Sequence, residues 1–278
     1  MQIIALLLFL GVILAVIYLF FKSIYDIIVA FIDYFFGDKL HMRVLNKPLQ
    51  TVYHEPIAKY FHYYKKLSPI NKNLFERKVQ KFIDSRQFIQ GQDLDDIHPD
   101  MIALISATAI QVTFGFPRVY LEHFKRVHIY YDAFHSPNTG RYHYGEVNGK
   151  GAIVLSWKNF VLGLSNETNG RNLGLHEMAH ALKIENSIRN SEYGFFDQSA
   201  YGRFHSEARW EMHRVHDGAT HFFRDYAATN DHEFFAVAME NFFERPSEFR
   251  EYNPKLYGLM SKLLRQNPMK IGYQLHEV

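Results

Sequence analysis

The chain has 278 residues, of which 47% are hydrophobic, and this is enough for one complete hydrophobic core with a helical appendage. The net charge is only +2, and the basic residues form no stripe with interleaved aromatic residues, which argues against a nucleic-acid-binding protein. The absence of cysteine excludes disulfide bonds and thiolate metal sites, but it does not indicate a redox compartment.

An uninterrupted hydrophobic run occupies residues 3–21. As a helix it would be about 28 Å long, which matches the hydrocarbon thickness of a bilayer. No Lys or Arg precedes the run and no small-x-small cleavage site follows it, so we expect a transmembrane anchor in residues 1–22 rather than a cleaved signal peptide. Lys22, Lys39 and Arg43 follow the run, which predicts a single-pass membrane protein whose main domain is cytoplasmic.

The remainder of the chain is predicted to contain a juxtamembrane helix and one domain. Residues 23–45 carry apolar side chains at helical spacing with acidic residues between them, which predicts an amphipathic juxtamembrane helix. Residues 46–278 have an ordinary globular composition. We expect them to form one domain, with a helical part in residues 46–126 and a part in residues 127–278 that contains a sheet.

Local patterns in this domain predict an α+β fold that is mostly helical. Helices are expected to begin at Pro69, which follows the capping residue Ser68, and at Pro99, in the start signal His98-Pro99-Asp100. Two strands of a small sheet are expected at residues 127–131 and 152–157, where apolar and β-branched residues cluster. The segment between these strands is rich in turn-forming residues and predicts a loop.

The strongest chemical signal is the string His176-Glu177-Met178-Ala179-His180. In a helix, residues i and i+4 lie on one face, so the two histidines can bind one metal ion. Two imidazoles favour zinc, although nickel, cobalt or iron would also accept them. Glu177 lies beside that face, where a carboxylate can serve as general base without binding the metal. The flanking residues are apolar nearly all round, which predicts a buried helix.

A small sheet just before such a helix is typical of zinc peptidases. The edge strand of that sheet can bind an extended peptide backbone by strand addition. A purely structural sheet is the alternative interpretation. The sheet edge is therefore a candidate binding element for a peptide or protein substrate.

A catalytic zinc ion usually has a third protein ligand, and the sequence spacing leaves its identity open. The metzincin pattern is excluded, because Lys183 and Asn186 stand where it requires glycine and histidine. The candidates by residue type are Glu207, Glu211, Glu233, Glu240, His205, His213 and His216. Glu233 begins a strongly apolar helix, which favours it. However, Asn230-x-x-Glu233 fits a capping box equally well, and there the glutamate would bind only the cap amide.

Two separated motifs resemble the Mlc titration factor A family of zinc-dependent peptidases. They are GRNLGLHEMAH at residues 170–180 and YAATNDHEFFAV at residues 226–237. The sequence GKGAIVLSW at residues 149–157 adds to the likeness. The likeness extends over residues 74–264. The catalytic lobe is also similar to that of anthrax lethal factor.

The resemblance implies a zincin-like fold of the gluzincin type. It implies that His176, His180 and Glu233 bind one zinc ion and that Glu177 is the general base. It further implies that Tyr226, seven residues before the ligand glutamate, stabilises the oxyanion, as a phenol that donates a hydrogen bond can.

The resemblance also implies a function, aminopeptidase-type cleavage of short peptides. Endopeptidase action remains open, because the sequence shows no amine-binding acidic pair. The alternative class is a regulatory binding protein that sequesters a transcriptional repressor, with peptidase activity secondary. Members of the family are soluble and cytoplasmic, so the predicted membrane anchor is a departure from it. Glu240, two turns after Glu233, either orients a ligand histidine or belongs to a buried ion pair.

Overall fold

A computed structural model describes residues 11, 15–21, 23–24, 47–166 and 168–270 of this chain. Contacts between residues divide the chain into two units, residues 1–46 and residues 47–278. In the first unit, the described residues are helical. The second unit contains both histidines of the metal-binding motif and the candidate third ligands.

The predicted single-pass membrane location is corrected by the structure. In the described ranges, no helix is both long enough and apolar enough to cross a bilayer. Most of the anchor predicted in residues 1–22, and nearly all of the juxtamembrane helix predicted in residues 23–45, lie outside the described residues.

The second unit is mostly helical in its described part, as the sequence predicts. The first five α-helices are α1 (Thr51–Tyr60), α2 (His62–Lys66), α3 (Pro69–Asp84), α4 (Pro99–Thr113) and α5 (Trp157–Ser165). The next five are α6 (Leu173–Ser187), α7 (Gln198–His216), α8 (Asp231–Glu244), α9 (Pro246–Tyr252) and α10 (Pro254–Leu264). Two short 3-10 helices occupy Asp225–Ala228 and Pro268–Lys270.

The predicted helix starts at Pro69 and Pro99 are confirmed. At α3, the Ser68 hydroxyl accepts a hydrogen bond from the Asn71 amide at 3.4 Å, which satisfies one of the free N–H groups of the first turn. Proline fits the first turn of both helices because its missing N–H would have no helical partner there.

The predicted small sheet is present and is larger than expected. The strands are β1 (Gln87–Gln90), β2 (Arg126–Tyr130), β3 (Phe134–Ser136), β4 (Arg141–His143), β5 (Gly145–Asn148) and β6 (Ala152–Ser156). Four of them form one sheet in the order β1-β2-β6-β5, in which β1, β2 and β6 are parallel and β5 is antiparallel to β6. Strands β3 and β4 form a separate antiparallel hairpin.

Four strands differ from the sequence prediction. Strand β1 lies in the part predicted to be helical, and β3, β4 and β5 lie in the segment predicted to be a loop. Each of these strands has only three or four residues. Strands β3, β4 and β5 also contain polar residues. Such short segments do not show the alternation by which a strand is recognised, and tertiary pairing decides their conformation.

The core is organised around helix α4, which is buried along nearly its whole length. It packs against α1, α3 and α6. Helix α6 in turn packs against α8 and α5, and it also contacts strands β5 and β6. The histidine motif therefore lies on a central helix, between the buried core and the edge strand of the sheet.

Candidate metal centre

Helix α6 carries His176, Glu177 and His180, and its N-terminus is well fixed. The Asn172 side chain caps the helix by accepting a hydrogen bond from the Leu175 amide at 3.0 Å. His176 and Glu177 are buried, and His180 is partly exposed. The motif thus occupies the buried first half of the helix, as its apolar flanks predict.

Three side chains converge on one point. The Nε2 atoms of His176 and His180 are 3.1 Å apart. Glu233 Oε2 lies 3.0 Å from His176 Nε2 and 3.4 Å from His180 Nε2. Among the described residues, these three form the group of His, Cys, Asp or Glu side chains whose ligand atoms are close enough to hold one metal ion.

Helix α8 places Glu233 opposite the histidines. Asn230 caps α8, and its Oδ1 accepts hydrogen bonds from the amides of His232 at 2.8 Å and Glu233 at 3.0 Å. Lys183 of α6 donates to the Asp231 carbonyl at 3.0 Å and so links the two helices. The cap exists, but the Glu233 carboxylate faces the imidazoles. Asn230 therefore caps the helix with its own side chain, while the Glu233 carboxylate lies next to the two imidazoles.

The three side chains fit a bound cation. Within the described part of the chain, Glu233 Oε2 is buried and has no hydrogen-bond partner, although both imidazole nitrogens are near. A buried charged oxygen without a partner is costly, and a metal ion is one partner that resolves the cost. Two imidazole nitrogens and a carboxylate oxygen are a ligand set that zinc and related divalent metals accept.

The charges at this point also call for a cation. Burial alone would lower the pKa of His176, but Glu233 and Glu240 outweigh it and raise that pKa to about 9. Burial alone would raise the pKa of Glu233, but His176 and His180 hold it well below its usual range. The Glu233 carboxylate is therefore ionised, and without a metal ion a protonated His176 is its positively charged neighbour.

Glu240 supports His176 from behind. Its carboxylate accepts from His176 Nδ1 at 2.7 Å and from the Asn172 amide at 2.8 Å. It also forms a two-point ion pair with Arg224, at 2.7 and 2.8 Å. Because Glu240 fixes a hydrogen on Nδ1, the Nε2 atom of His176 is the one available to a metal. Both interpretations of Glu240, histidine support and buried ion pair, describe the structure.

We expect the variant Glu240→Gln to bind zinc about 10- to 100-fold more weakly, because a neutral amide supports the histidine less well. Competition with a zinc chelator measures this affinity. Glu248→Gln is the matched control, since Glu248 also pairs with an arginine, Arg245, but on the surface. Equal zinc affinity in Glu240→Gln and in the unmodified protein would contradict the supporting role.

Glu177 lies next to the first residue of strand β5. Burial raises the pKa of Glu177 to about 7, even though the nearby histidines lower it. A Cβ atom added to Gly145 would overlap with the Glu177 carboxylate, so only glycine lets the strand pass this close. A carboxylate with such a pKa can accept and return a proton near neutral pH. The role of Gly145 could not be predicted from the sequence, because a glycine in a turn-rich segment gives no specific signal.

Tyr226 lies at the edge of the same group. It belongs to the 3-10 helix Asp225–Ala228, and its ring centre is 5.9 Å from that of His176. Burial, together with Glu233, raises the pKa of Tyr226 to about 12. The hydroxyl is therefore protonated at neutral pH and can donate a hydrogen bond.

The other candidate third ligands lie elsewhere. Glu207 pairs with Lys255 at 2.5 Å, and Glu211 is bonded to Tyr252 and Asn253. The three histidines are also engaged or exposed: His205 lies 3.6 Å from Asp231, His216 lies 3.2 Å from Asp217, and His213 is exposed. The structure therefore brings Glu233, and not these residues, to the two histidines of the motif.

Arg224 is a site residue that sequence reasoning missed. It holds Glu240 and also donates to the Gly170 carbonyl at 2.8 Å, so it fixes the segment that precedes α6. No short spacing pattern connects Arg224 to either partner, because the contacts join residues 16 and 54 positions apart. Only an expectation that buried Glu240 needs a cation could have pointed to an arginine.

A cleft of about 1130 Å³ opens in front of His176 and Glu177. Its walls come from three segments, residues 142–145, 169–173 and 221–226, together with part of α5. The cleft is large enough for several residues of a peptide, and its floor holds the buried carboxylate and one of the converging histidines.

Comparisons with known proteins identify several relatives of this chain. An uncharacterized protein of Synechocystis sp. is 25% identical over 268 residues, which cover 87% of this chain and 96% of the relative. Mlc titration factor A of Salmonella agona is 28% identical over 209 residues, covering 68% of this chain and 77% of the relative. The protein of the same name from Salmonella arizonae is also 28% identical, with 81% of its length covered.

These relatives confirm the resemblance to the Mlc titration factor A family. The similarity to anthrax lethal factor stays a prediction. The model of the glucose-regulated metallo-peptidase M90 family matches residues 38–265, which include both motifs and every residue of the converging group. The chain therefore belongs to the glucose-regulated metallo-peptidase M90 family.

Proposed function

We propose that this chain is a zinc-dependent peptidase of the gluzincin type, in which His176, His180 and Glu233 bind the metal. The observation that carries the proposal is the convergence of two imidazole nitrogens on a buried carboxylate oxygen that lacks a hydrogen-bond partner among the described residues. The buried Glu177 carboxylate beside this point adds the group that hydrolysis requires.

The chain's own residues have separate roles in this mechanism. A bound zinc ion supplies Lewis acidity, which makes water a stronger nucleophile near neutral pH. Glu177 accepts the proton of the attacking water and returns it to the leaving amine, a cycle for which a pKa of about 7 is well suited. Tyr226 donates a hydrogen bond to the oxygen on which negative charge develops.

Strand β5 is the proposed support for the peptide backbone. It is the last strand of the four-stranded sheet, and its pairing among the described strands is with β6. Its first residue, Gly145, lies directly beside the Glu177 carboxylate. A peptide that extends the sheet along β5 would therefore pass beside the general base.

Aminopeptidase action, which the family resemblance implies, requires a carboxylate for the free α-amine. The carboxylates that line the cleft belong to Glu177, Asp225 and Glu240 among the described residues. Glu240 is already bonded to His176, Arg224 and Asn172. The exposed Asp225, next to Tyr226, is therefore our candidate for the amine-binding group.

The test is cleavage of unlabelled peptides by the full chain, followed by mass spectrometry. We expect cleavage to stop after treatment with a chelator and to return when zinc is added. Free peptides should be cleaved from their N-termini, whereas N-acetylated peptides should resist. Cleavage that persists in the metal-free protein would overturn the proposed function, and equal cleavage of acetylated peptides would overturn only the aminopeptidase assignment.

A second candidate function is binding of a regulatory protein. The observation that favours it is the name of the Salmonella relatives, Mlc titration factor A. By analogy, this chain would sequester a transcriptional repressor, with or without peptide cleavage. A metal-free His176→Ala variant that still captures a repressor would favour this function, whereas loss of every effect together with the metal would favour catalysis.

We expect the variant Tyr226→Phe to lower kcat about 100- to 1,000-fold, as is usual when one donor to a developing oxyanion is removed. KM and zinc content should change little, because the hydroxyl acts in the transition state. Steady-state kinetics with elemental analysis measures all three. Tyr193→Phe, in which an exposed tyrosine outside the cleft loses its hydroxyl, is the control. An unchanged kcat in Tyr226→Phe would remove the proposed role.

A further inference from the structure

Large hydrophobic side chains are exposed on the walls of the cleft. Tyr142 is 74% exposed, Tyr144 is 54% exposed and Leu162 is 59% exposed, and all three line the cleft in front of His176 and Glu177. Tyr142 is the middle residue of β4, Tyr144 lies between β4 and β5, and Leu162 belongs to α5. Exposed apolar surface that is concentrated in a binding cleft is typical of a ligand-binding site.

Tyr144 lies close to the proposed general base, Glu177. Tyr144 directly precedes Gly145, the residue that comes nearest to the Glu177 carboxylate. The Tyr144 carbonyl accepts a hydrogen bond from the Ser156 amide at 2.7 Å, which ties this residue to strand β6. A ligand side chain bound next to Tyr144 would therefore lie near the Glu177 carboxylate.

The β3–β4 hairpin holds Tyr142 in place. The ring of Tyr142 packs edge-on against His135, with ring centres 5.5 Å apart. At the tip of the hairpin, Asn138 donates to Glu146 of β5 at 2.6 Å, which joins the hairpin to the edge strand. The backbone that carries both tyrosines is thus held by hydrogen bonds, so a ligand does not have to order that backbone when it binds.

We propose that Tyr142, Tyr144 and Leu162 select peptides that carry an aromatic residue next to the scissile bond. This inference rests on the proposed peptidase function and names its substrate class. Two effects favour binding of an aromatic substrate side chain next to these residues. Its apolar surface is removed from water, and its ring stacks edge-on or offset against the tyrosine rings. The methyl side chain of alanine in the same place buries little apolar surface and has no ring to stack.

The test compares two unlabelled hexapeptides that differ only in one residue, phenylalanine or alanine. We expect kcat/KM of the full zinc-loaded chain to be about tenfold higher, or more, for cleavage next to phenylalanine. The variants Tyr142→Ala and Tyr144→Ala should reduce this ratio to near one. Tyr144→Phe, which retains the ring, should preserve the ratio, and so should Tyr193→Ala, which removes an exposed ring outside the cleft.

A binding measurement separates this inference from the proposed function. Calorimetry on the Glu177→Gln variant gives the affinity for both hexapeptides without cleavage, and we expect the phenylalanine peptide to bind about tenfold more tightly, or more. Adding Tyr144→Ala to that variant should remove the difference. If the unmodified chain cleaves neither peptide, the proposed function fails, and this binding preference still decides the inference. Equal affinities for both peptides, or a preference that survives both tyrosine substitutions, would overturn it.

Discussion

Replacing Glu177 with glutamine is expected to lower kcat for peptide cleavage about 100- to 10,000-fold, the usual contribution of a general acid or base. Glutamine has nearly the same shape but cannot accept the proton of the attacking water. Glu177 lies beside the converging group of His176, His180 and Glu233, and is not part of it. The zinc content of the variant should therefore equal that of the unmodified protein.

Kinetics and elemental analysis of the same Glu177→Gln sample make this comparison. Glu192→Gln is the matched control, because Glu192 is also buried and burial likewise raises its pKa to about 7. Glu192 instead accepts hydrogen bonds from the amides of Tyr120 and Glu122. The control should keep the activity per folded molecule. Rapid turnover by Glu177→Gln, or loss of its zinc, would show that Glu177 has another role.

Replacing Glu233 with alanine is expected to abolish both zinc binding at micromolar concentration and cleavage. The substitution removes the only carboxylate oxygen that, among the described residues, joins the two imidazoles. Two histidines four residues apart remain, and a catalytic zinc site usually needs a third protein ligand. Because ligand binding stabilises the folded state, zinc at 100 times its Kd should stabilise the unmodified protein by about 2.7 kcal/mol and the variant hardly at all.

Thermal unfolding with and without zinc measures this difference. Asp231→Ala is the control, since it also removes an acidic side chain from the first turn of α8 but leaves the converging group intact. The control corrects for the loss of a favourable charge at the helix N-terminus. A zinc-dependent rise in Tm that is equal in Glu233→Ala and in Asp231→Ala would mean that Glu233 does not bind the metal.

The spacing of residues along the sequence was sufficient to predict that His176 and His180 lie together on one helix. His176 and His180 meet because helical geometry alone places residues i and i+4 on one face, and the helix is buried as its apolar flanks indicate. Glu233 was not determined in this way, since it lies 53 positions after His180 and a helix cap explained it equally well. The resemblance to a known family supplied this long-range pairing.

Other features depended on tertiary contacts that a local pattern does not contain. Strand β5 is formed by pairing with β6, and its glycine is required by Glu177, a residue far along the chain. The ion pair of Arg224 with Glu240 depends on how the segment before α8 packs against that helix. The hydrophobic run at residues 3–21 led to the predicted membrane location, which was wrong, because no helix in the described ranges is both long enough and apolar enough to cross a bilayer.

The central claim is that His176, His180 and Glu233 together bind one divalent metal ion. X-ray diffraction from crystals of the zinc-loaded full chain, recorded on both sides of the zinc absorption edge, tests it most directly. We predict one strong anomalous peak, in contact with both Nε2 atoms and with the Glu233 carboxylate. A peak bound by other residues, or a Glu233 carboxylate turned away from the zinc, would contradict the claim.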